Sequence, residues 1–353
     1  MARPAPAYSG DRAPRARHAF RWLILLVLAV ALASLGSGAA GVPLHQILSD
    51  LIWGAGLSAR DQLILIDIRL PRLVMGLLVG AALAVSGVLM QGLFRNPLAD
   101  PGIVGVGAGA SLGAVVAIVL GGALPVALTA MIGQWMIPVA AFLGSWMVTL
   151  LLYRIATRGG QTSVATLLLA GIALGALGAA LTGVLIYKAN DAQLRTVTFW
   201  SMGSLAGANW SKVMVGLPLI LPVLALSPFL ARGLNNLSLG EAQARHLGTD
   251  VQKIKRLAVL AVAASVGVAV ALAGGIGFVG IVVPHLLRIM IGPDHRYLLP
   301  NAALLGGTLL VAADMVARTI VAPAELPIGI ITALIGAPVF LWILLQRRGL
   351  GGF

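Results

Sequence analysis

Apolar runs of membrane-spanning length recur through almost the whole chain, and they constrain its fold more than any other feature. The first run begins at Trp22 and the last ends near residue 346. An α-helix needs about 20 predominantly apolar residues to cross the hydrocarbon core of a bilayer. No interval between the runs is long enough for a separate soluble domain. The chain is therefore predicted to be an all-α polytopic membrane protein.

Composition favours the same fold class. Hydrophobic residues make up 59% of the 353 positions and charged residues 10%, whereas about a quarter of an ordinary soluble chain is charged. Residues 1–19 are predicted to form a disordered basic cytoplasmic tail, and residues 20–353 a single transmembrane domain. About ten transmembrane helices are predicted from the length of the runs. They cover residues 22–35, 73–94, 102–120, 135–156, 164–187, 211–230, 257–273, 276–291, 299–320 and 328–346.

Membrane topology explains the net charge of +13. Nucleic-acid binding would need a basic face on a folded domain, and here Lys and Arg lie mostly in short gaps between apolar runs. With the N-terminus inside, 17 of the 24 Lys and Arg residues fall on the inner side and 7 on the outer side. Because cytoplasmic loops are enriched in Lys and Arg, both termini are predicted to be cytoplasmic. A cleaved signal peptide is the alternative for the first run, and an uncleaved span agrees better with this topology.

Glycine predicts how the helices pack. The small-xxx-small pairs Gly76/Gly80, Gly109/Gly113 and Gly171/Gly175 allow helix backbones to approach closely where lipid provides no hydrophobic driving force. Residues 274–280 contain four glycines in seven positions. That density predicts a break between the seventh and eighth spans and a short eighth span.

The longest polar interval after Trp22 is residues 232–256. Ser238-Leu239-Gly240-Glu241 has the spacing of a capping box, which predicts a helix from Leu239. Leu247-Gly248 predicts a helix stop, and Thr249-Asp250-Val251-Gln252 repeats the capping spacing. The interval is therefore predicted to be a cytoplasmic loop of two short helices.

This loop could lie on lipid headgroups or bind another protein. Helices that lie on a membrane carry bulky apolar anchors and a face rich in Lys and Arg. The loop instead offers Glu241, Ala242, Gln243 and Ala244. Its small side chains and mixed charges favour a surface that binds a partner protein.

Catalysis by this chain is not expected. The sequence has no G-x-x-x-x-G-K-[ST] loop for a nucleotide, no H-E-x-x-H motif and no cysteine. Its five histidines are scattered through tails and near membrane edges, so no metal site is predicted.

The charged residues near the predicted outer end each have two possible roles. Asp314 and Arg318 lie four residues apart, so they could pair along one helix face, or Arg318 could face an acidic partner. Arg69 and Arg72 could extend to the membrane interface or receive carboxylates of a partner. The turn at 96–102, which contains two prolines, is by default a plain connector.

Nine segments together resemble the permease subunits of type II ABC importers, which take up iron-siderophores, haem and cobalamin. The resemblance covers nearly the whole chain in order. The matching segments are RLPR (69–72), GAALAVSGVLMQGLFRNPLADPG (80–102), LLLAGIAL (167–174), FWSMGSLAGANW (199–210), LNNLSLGEAQARHLG (234–248), GGIGFVGIVVPHLLR (274–288), GPDHRYLLP (292–300), ADMVAR (313–318) and ELPIGIITALIGAPVFL (325–341).

The resemblance implies a transport subunit of the bacterial inner membrane that is not itself an enzyme. Its implied partners are a second copy of the chain, two ATP-binding cassette subunits, a periplasmic substrate-binding protein and membrane lipid, but no nucleic acid. ATP and Mg²⁺ would be bound by the partner ATPase, and this chain would bind no cofactor.

The resemblance also assigns roles to particular residues. Three surfaces are implied: a coupling helix for the ATPase, an outer surface for the binding protein and a cytoplasmic gate. The coupling residues are Leu239, Gly240, Glu241, Ala242, Arg245, Leu247 and Gly248; the docking residues are Arg69, Arg72 and Arg318; the gate residues are Asn96, Leu98, Thr162, Ser163 and Thr166.

The cargo is predicted to be haem. Residues 190–210 look most similar to haem permeases, and Lys188, Arg195 and Lys212 near the outer mouth could attract propionate groups. Ferric siderophore and cobalamin are the alternatives within the same architecture. An ion-coupled secondary transporter is the alternative class, but it would usually need intramembrane carboxylates, for which only Asp314 is a candidate. A lipid-facing or redox membrane enzyme is disfavoured because the sequence lacks the necessary ligands and nucleophiles.

Overall fold

The structure is a computed structural model that describes residues 12–38, 49, 53–54, 58–125 and 131–348. Fourteen α-helices are labelled in chain order within these residues, and one short hairpin accompanies them. The helices are α1 Ala13–Gly36, α2 Ala59–Leu63, α3 Leu70–Phe94, α4 Val106–Leu120, α5 Met136–Ala156, α6 Val164–Tyr187, α7 Asp191–Ser201, α8 Trp210–Leu226, α9 Ala231–Ser238, α10 Glu241–His246, α11 Val251–Ala273, α12 Val279–Ile291, α13 His295–Thr319 and α14 Ile328–Arg348; the hairpin pairs β1 Thr157–Arg158 with β2 Gln161–Thr162.

The fold class agrees with the prediction. Among the described residues, eight helices are long and apolar enough to cross a membrane. Two shorter apolar helices, Val279–Ile291 and Ile328–Trp342, accompany them. These ten helices lie at the ten predicted positions. The break at 274–280 is also confirmed, since α11 ends at Ala273 and α12 has only 13 residues.

Helix α3 forms the centre of the bundle. In its most apolar window 89% of the residues are buried, compared with 17% in α6 and 6% in α1. It packs against α8, α11, α12 and α13. Helices α4, α5 and α6 form a second group beside it. The exposed helices α1 and α6 therefore lie at the periphery of the chain.

Glycines bring the central helices into backbone contact. A Cβ on Gly80 would lie 2.3 Å from the carbonyl oxygen of Gly306, and a Cβ on Gly87 would lie 1.9 Å from that of Gly280. Gly109 meets Gly144 in the same way, at 2.4 Å. The close packing predicted for Gly80 and Gly109 is thus confirmed. Gly175 has nothing within 4 Å of its added Cβ, so it makes no such contact inside the chain.

Substitution Gly87→Ala should destabilise the bundle. The added methyl group would overlap the backbone of α12, and overpacking of this kind typically costs about 1–3 kcal/mol. The thermal unfolding midpoint in detergent measures the effect. Gly107→Ala is the matched control, because nothing lies within 4 Å of its added Cβ and alanine favours a helix by up to about 1 kcal/mol. Equal midpoints for the two variants would contradict the close contact.

The structure corrects the predicted tail and adds two elements that the sequence did not predict. Helix α1 begins at Ala13, so residues 13–19 are helical rather than disordered; Pro14 lies in its first turn, where a missing N–H is harmless. Residues 1–11 of the predicted tail lie outside the described part. Residues 59–69 run directly into α3. The sequence did not predict helix α7 or the hairpin at 157–162.

Candidate coupling surface and outer arginine cluster

The polar interval 232–256 folds into α9, α10 and the first turns of α11. Its predicted capping boxes are wrong in detail. Ser238 ends α9, and Gly240 begins α10 because the backbone there takes a φ of 113°, which favours glycine. Asp250, rather than Thr249, caps α11 by accepting a hydrogen bond from the N–H of Lys253. The predicted stop is confirmed at Gly248, whose φ is 78°.

Helix α10 presents an exposed surface with a leucine at each end. Leu239 is 62% exposed and Leu247 is 54% exposed. The side chains of Ala242 and Arg245 are also exposed, while Ala244 anchors the helix in the core. Exposed leucines separated by one short helix can fit a socket on another protein. The seven predicted coupling residues therefore lie together on one surface.

A buried lysine joins α10 to the hairpin. The Nζ atom of Lys255 lies 2.7 Å from Oε1 of Glu241, and it donates a hydrogen bond of 2.8 Å to the carbonyl oxygen of Thr162. Only 3% of the Lys255 side chain is exposed. The N–H of Thr162 donates to the side chain of Gln252, also at 2.8 Å. Both backbone polar groups of Thr162 are therefore held by the first turns of α11.

The hairpin leads directly into α6. Thr157 and Thr162 share a hydroxyl hydrogen bond of 2.9 Å, and the side chain of Ser163 caps α6 by accepting from the N–H of Thr166. The three predicted gate residues 162, 163 and 166 thus form one structural unit at the start of α6. A polar chain runs from Glu241 through Lys255 to this unit.

The other predicted gate residues lie on the turn after α3. The side chain of Asn96 accepts a hydrogen bond of 3.0 Å from the N–H of Leu98, and Arg95 ends α3 with a φ of 49°. Asp100 then accepts from Gly102 at 2.7 Å. Within the described part of the chain, no hydrogen bond joins this turn to the hairpin.

The three outer arginines converge on one cluster. The guanidinium of Arg72 donates to both carboxylate oxygens of Asp314 at 2.8–3.0 Å and to Glu325 at 2.8 Å. Arg318 lies 3.6 Å from Asp314. The main partner of Asp314 is therefore Arg72 on another helix, and the predicted pair with Arg318 is the longer contact.

The end of α1 completes this cluster. Arg318 donates to the carbonyl oxygen and hydroxyl of Ser34 at 2.7 and 2.8 Å and to the carbonyl of Ser37, and Arg69 donates to the carbonyl of Leu35. Carbonyls in the last turn of a helix lack helical partners, which makes them ready acceptors. The exposed fractions of Arg69, Arg72 and Arg318 are 4%, 8% and 6%. These three arginines, together with Asp314 and Glu325, form the outer arginine cluster, and Asp61 lies near enough to act electrostatically on Arg69.

An acidic residue organises the opposite, predicted inner end. Asp294 caps α13, accepts three hydrogen bonds from the guanidinium of Arg296 and accepts one from Asn235 at 2.7 Å. Burial raises the pKa of Asp294, but the bonds from Arg296 and Asn235 outweigh it and lower the pKa to about 2. Asp294 therefore stays ionised at physiological pH and holds α9 against α13.

No cluster of three or more His, Asp or Glu side chains that could hold a metal ion occurs in the described residues. Sequence reasoning missed the roles of Lys255, Gln252 and Glu325. Lys255 was counted only as an inner-side charge, and a lysine next to a helix N-terminus carries no signal that it is buried.

The bundle of apolar helices, with polar surfaces at its two ends, defines a polytopic membrane protein. A model of the FecCD transport family matches residues 25–346. The chain belongs to this family. It is a permease subunit of a type II ABC importer, a transport component rather than an enzyme, and such a subunit works with an ATPase and a substrate-binding protein.

Characterised relatives differ in what they transport. The chain is 45% identical over 327 residues to the hemin transport system permease protein HmuU of Yersinia pestis, covering 93% of this chain and 95% of the relative. It is 46% identical over 331 residues to the vitamin B12 import system permease protein BtuC of Salmonella typhi, covering 94% and 96%. The sequence identities to the hemin permease and to the vitamin B12 permease are nearly equal, so they do not indicate which of the two cargoes this chain transports.

A solved structure shares the fold. It is an inward-facing conformation of a metal-chelate type ABC transporter, with a TM-score of 0.82 and 33% sequence identity. The match covers 94% of this chain and 99% of the solved chain. The whole bundle, rather than one half of it, therefore corresponds to this importer architecture.

Proposed function

We propose that this permease imports haem across the bacterial inner membrane by alternating access. The observation that carries the choice of cargo is the set of three cations in residues 188–212, the segment that contains α7 at the predicted outer end. Lys188 follows α6, and Arg195 lies on α7; both are exposed. Lys212 lies on α8, and its Nζ atom donates to the carbonyl of Gly207 in the preceding loop. Such a group attracts the propionate carboxylates of haem, and similarity to a hemin permease supports the same cargo.

ATP hydrolysis on two partner subunits would drive transport, with ATP and Mg²⁺ bound there. Helix α10 is the proposed coupling helix, seated in the ATPase through Leu239, Ala242, Arg245 and Leu247. Movement of α10 would reach the cytoplasmic gate through Glu241 and Lys255, because Lys255 holds the hairpin before α6. The turn of Asn96 and Leu98 would form the opposite part of this gate.

The outer arginine cluster would receive the periplasmic binding protein. Its three arginines suit acidic residues on that partner. The arginines are buried, and Glu325, whose side chain is 37% exposed, is the accessible member of the cluster. Carboxylates of the partner would then compete with Asp314 and Glu325 for the arginines. This competition offers a way for docking to loosen the outer end.

A second copy of the chain would complete the pathway. Helix α6 is largely exposed, and Ala173, Ala176, Ala180 and Gly183 on it are small. Small residues on a transmembrane helix permit close approach of another helix. Two copies would place their α6 helices along a shared path, with both termini of each copy in the cytoplasm.

Asp314, the candidate carboxylate for an ion-coupled secondary transporter, is not suited to that role. A coupling carboxylate must be able to gain and lose a proton or an ion during the cycle. Asp314 is instead held by two hydrogen bonds from Nε and one from Nη2 of Arg72. It is a structural anion of the outer end.

Cargo is tested with the assembled transporter in proteoliposomes. The cognate binding protein is loaded in turn with haem, a ferric siderophore or cobalamin, and ATP hydrolysis is measured. We expect haem to give the largest stimulation. No response to haem, with a response to either of the others, would overturn haem as the cargo and leave the importer assignment intact.

A further inference from the structure

A basic cavity opens at the predicted inner end of the bundle. Its volume is about 680 Å³. The N-terminal end of α1, the end of α3 and the junction between α12 and α13 surround it. The arginines that line it are Arg12, Arg95, Arg288 and Arg296. Neither the coupling surface nor the outer arginine cluster includes these residues.

Three of these arginines lack a carboxylate partner within the described chain. Arg296 is neutralised by Asp294 at 2.6 Å. Arg288 donates to the neutral side chain of Gln91, and Arg12 and Arg95 form no ion pair with any described residue. The cavity therefore holds an excess of positive charge around a space large enough for a phosphate-bearing group.

An apolar groove adjoins this cavity. It has a volume of about 360 Å³ and runs between α1 and α13. Tyr297 lines both spaces. Ala16, Phe20 and Pro300 line the groove, with Arg17 and Arg21 beside them. A basic cavity that adjoins an apolar groove matches a charged headgroup attached to an acyl chain.

We propose that this cavity binds the headgroup phosphate of an anionic phospholipid, with an acyl chain in the groove between α1 and α13. Clusters of basic residues between transmembrane helices on the cytoplasmic side bind anionic headgroups in this manner. A free phosphate or nucleotide would use the arginines but not the groove. Placement in the inner leaflet follows the orientation proposed above.

The bound lipid would also brace the coupling surface. Asn235 and Ser238 of α9 line the same cavity, and α9 leads directly into α10. Asn235 is already fixed by Asp294 and by the N–H of His295 at 3.0 Å. A lipid between α1 and this junction would hold α9 in place during movements of α10.

Native mass spectrometry of the full-length chain in detergent tests the site. The probes are phosphatidylglycerol and phosphatidylcholine with identical acyl chains. We expect the chain to retain phosphatidylglycerol preferentially, and Arg288→Gln to lower that preference about fivefold, the effect of one basic residue near an anionic headgroup. Arg95→Gln should act likewise, and it is safe for folding because Arg95 is exposed.

Arg154→Gln is the matched control, since Arg154 is an exposed inner-side arginine outside the cavity. It should leave the lipid preference unchanged. Equal retention of the two lipids, an equal loss in the control, or displacement of phosphatidylglycerol by inorganic phosphate would each overturn the proposal. None of these outcomes depends on the cargo or on the ATPase.

Discussion

Lys255→Gln is expected to lower ATP-driven transport by about 5- to 150-fold, which corresponds to the typical coupling free energy between two sites. The complex with the ATPase should still assemble. The variant removes the cation that joins Glu241 to the carbonyl of Thr162. Helix α10 could then move without moving the hairpin before α6. Cargo uptake and ATP hydrolysis, measured on the same proteoliposomes, should therefore separate, with hydrolysis retained and uptake lost.

Lys253→Gln is the matched control for this uncoupling. Lys253 lies two residues earlier on the same helix, its side chain is exposed, and only its backbone N–H takes part in capping α11. We expect this variant to transport like the unmodified protein. Normal transport by Lys255→Gln, or an equal loss in Lys253→Gln, would contradict the proposed connection between the coupling helix and the gate.

Asp314→Asn is expected to destabilise the chain by about 3–5 kcal/mol, the typical effect of removing one partner from a buried ion pair. Arg72 and Arg318 would keep their charges in the outer arginine cluster, with only Glu325 to offset them. Both arginines are more than nine-tenths buried, so water cannot replace the lost carboxylate. The thermal unfolding midpoint in detergent should fall accordingly.

Two further variants separate charge from packing in this cluster. Glu325→Gln removes the partly exposed carboxylate that bonds the same arginine, and its effect should be clearly smaller because exposed ion pairs contribute about 0–1 kcal/mol. Combining Asp314→Asn with Arg72→Gln should recover part of the lost stability, since both charges of the closest pair are gone. A midpoint for Asp314→Asn equal to that of Glu325→Gln would be inconsistent with this account.

Local sequence signals predicted much of the fold. The apolar runs predicted the ten helices, and the glycines at 274–280 predicted the break before α12. The exact start of helix α10 was harder to predict than its existence. Gly240 takes a backbone conformation that favours glycine and caps the helix, so the helix begins at Glu241, two residues after the predicted Leu239. The left-handed backbone of Phe278, with a φ of 67°, carries no local signal at all.

Partners distant in the chain could not be predicted from one sequence. Arg72 precedes Asp314 by 242 positions, and this contact is shorter than the local pair predicted with Arg318, which is also present at 3.6 Å. Lys255 contacts Thr162 across 93 positions, so the proposed link between the coupling surface and the gate appears only when the helices are packed. Spacing identifies which residues can share a helix face, but tertiary packing decides which charges meet.

The central claim is that ATP hydrolysis on a partner subunit, rather than an ion gradient, drives transport. Transport by purified protein tests this claim most directly. The chain is reconstituted into liposomes with and without its ATPase partner, with the cargo-loaded binding protein outside, and uptake is followed with internal ATP or with a proton gradient. We predict uptake only when the ATPase and ATP are both present. Uptake driven by the proton gradient in the absence of the ATPase would contradict the account.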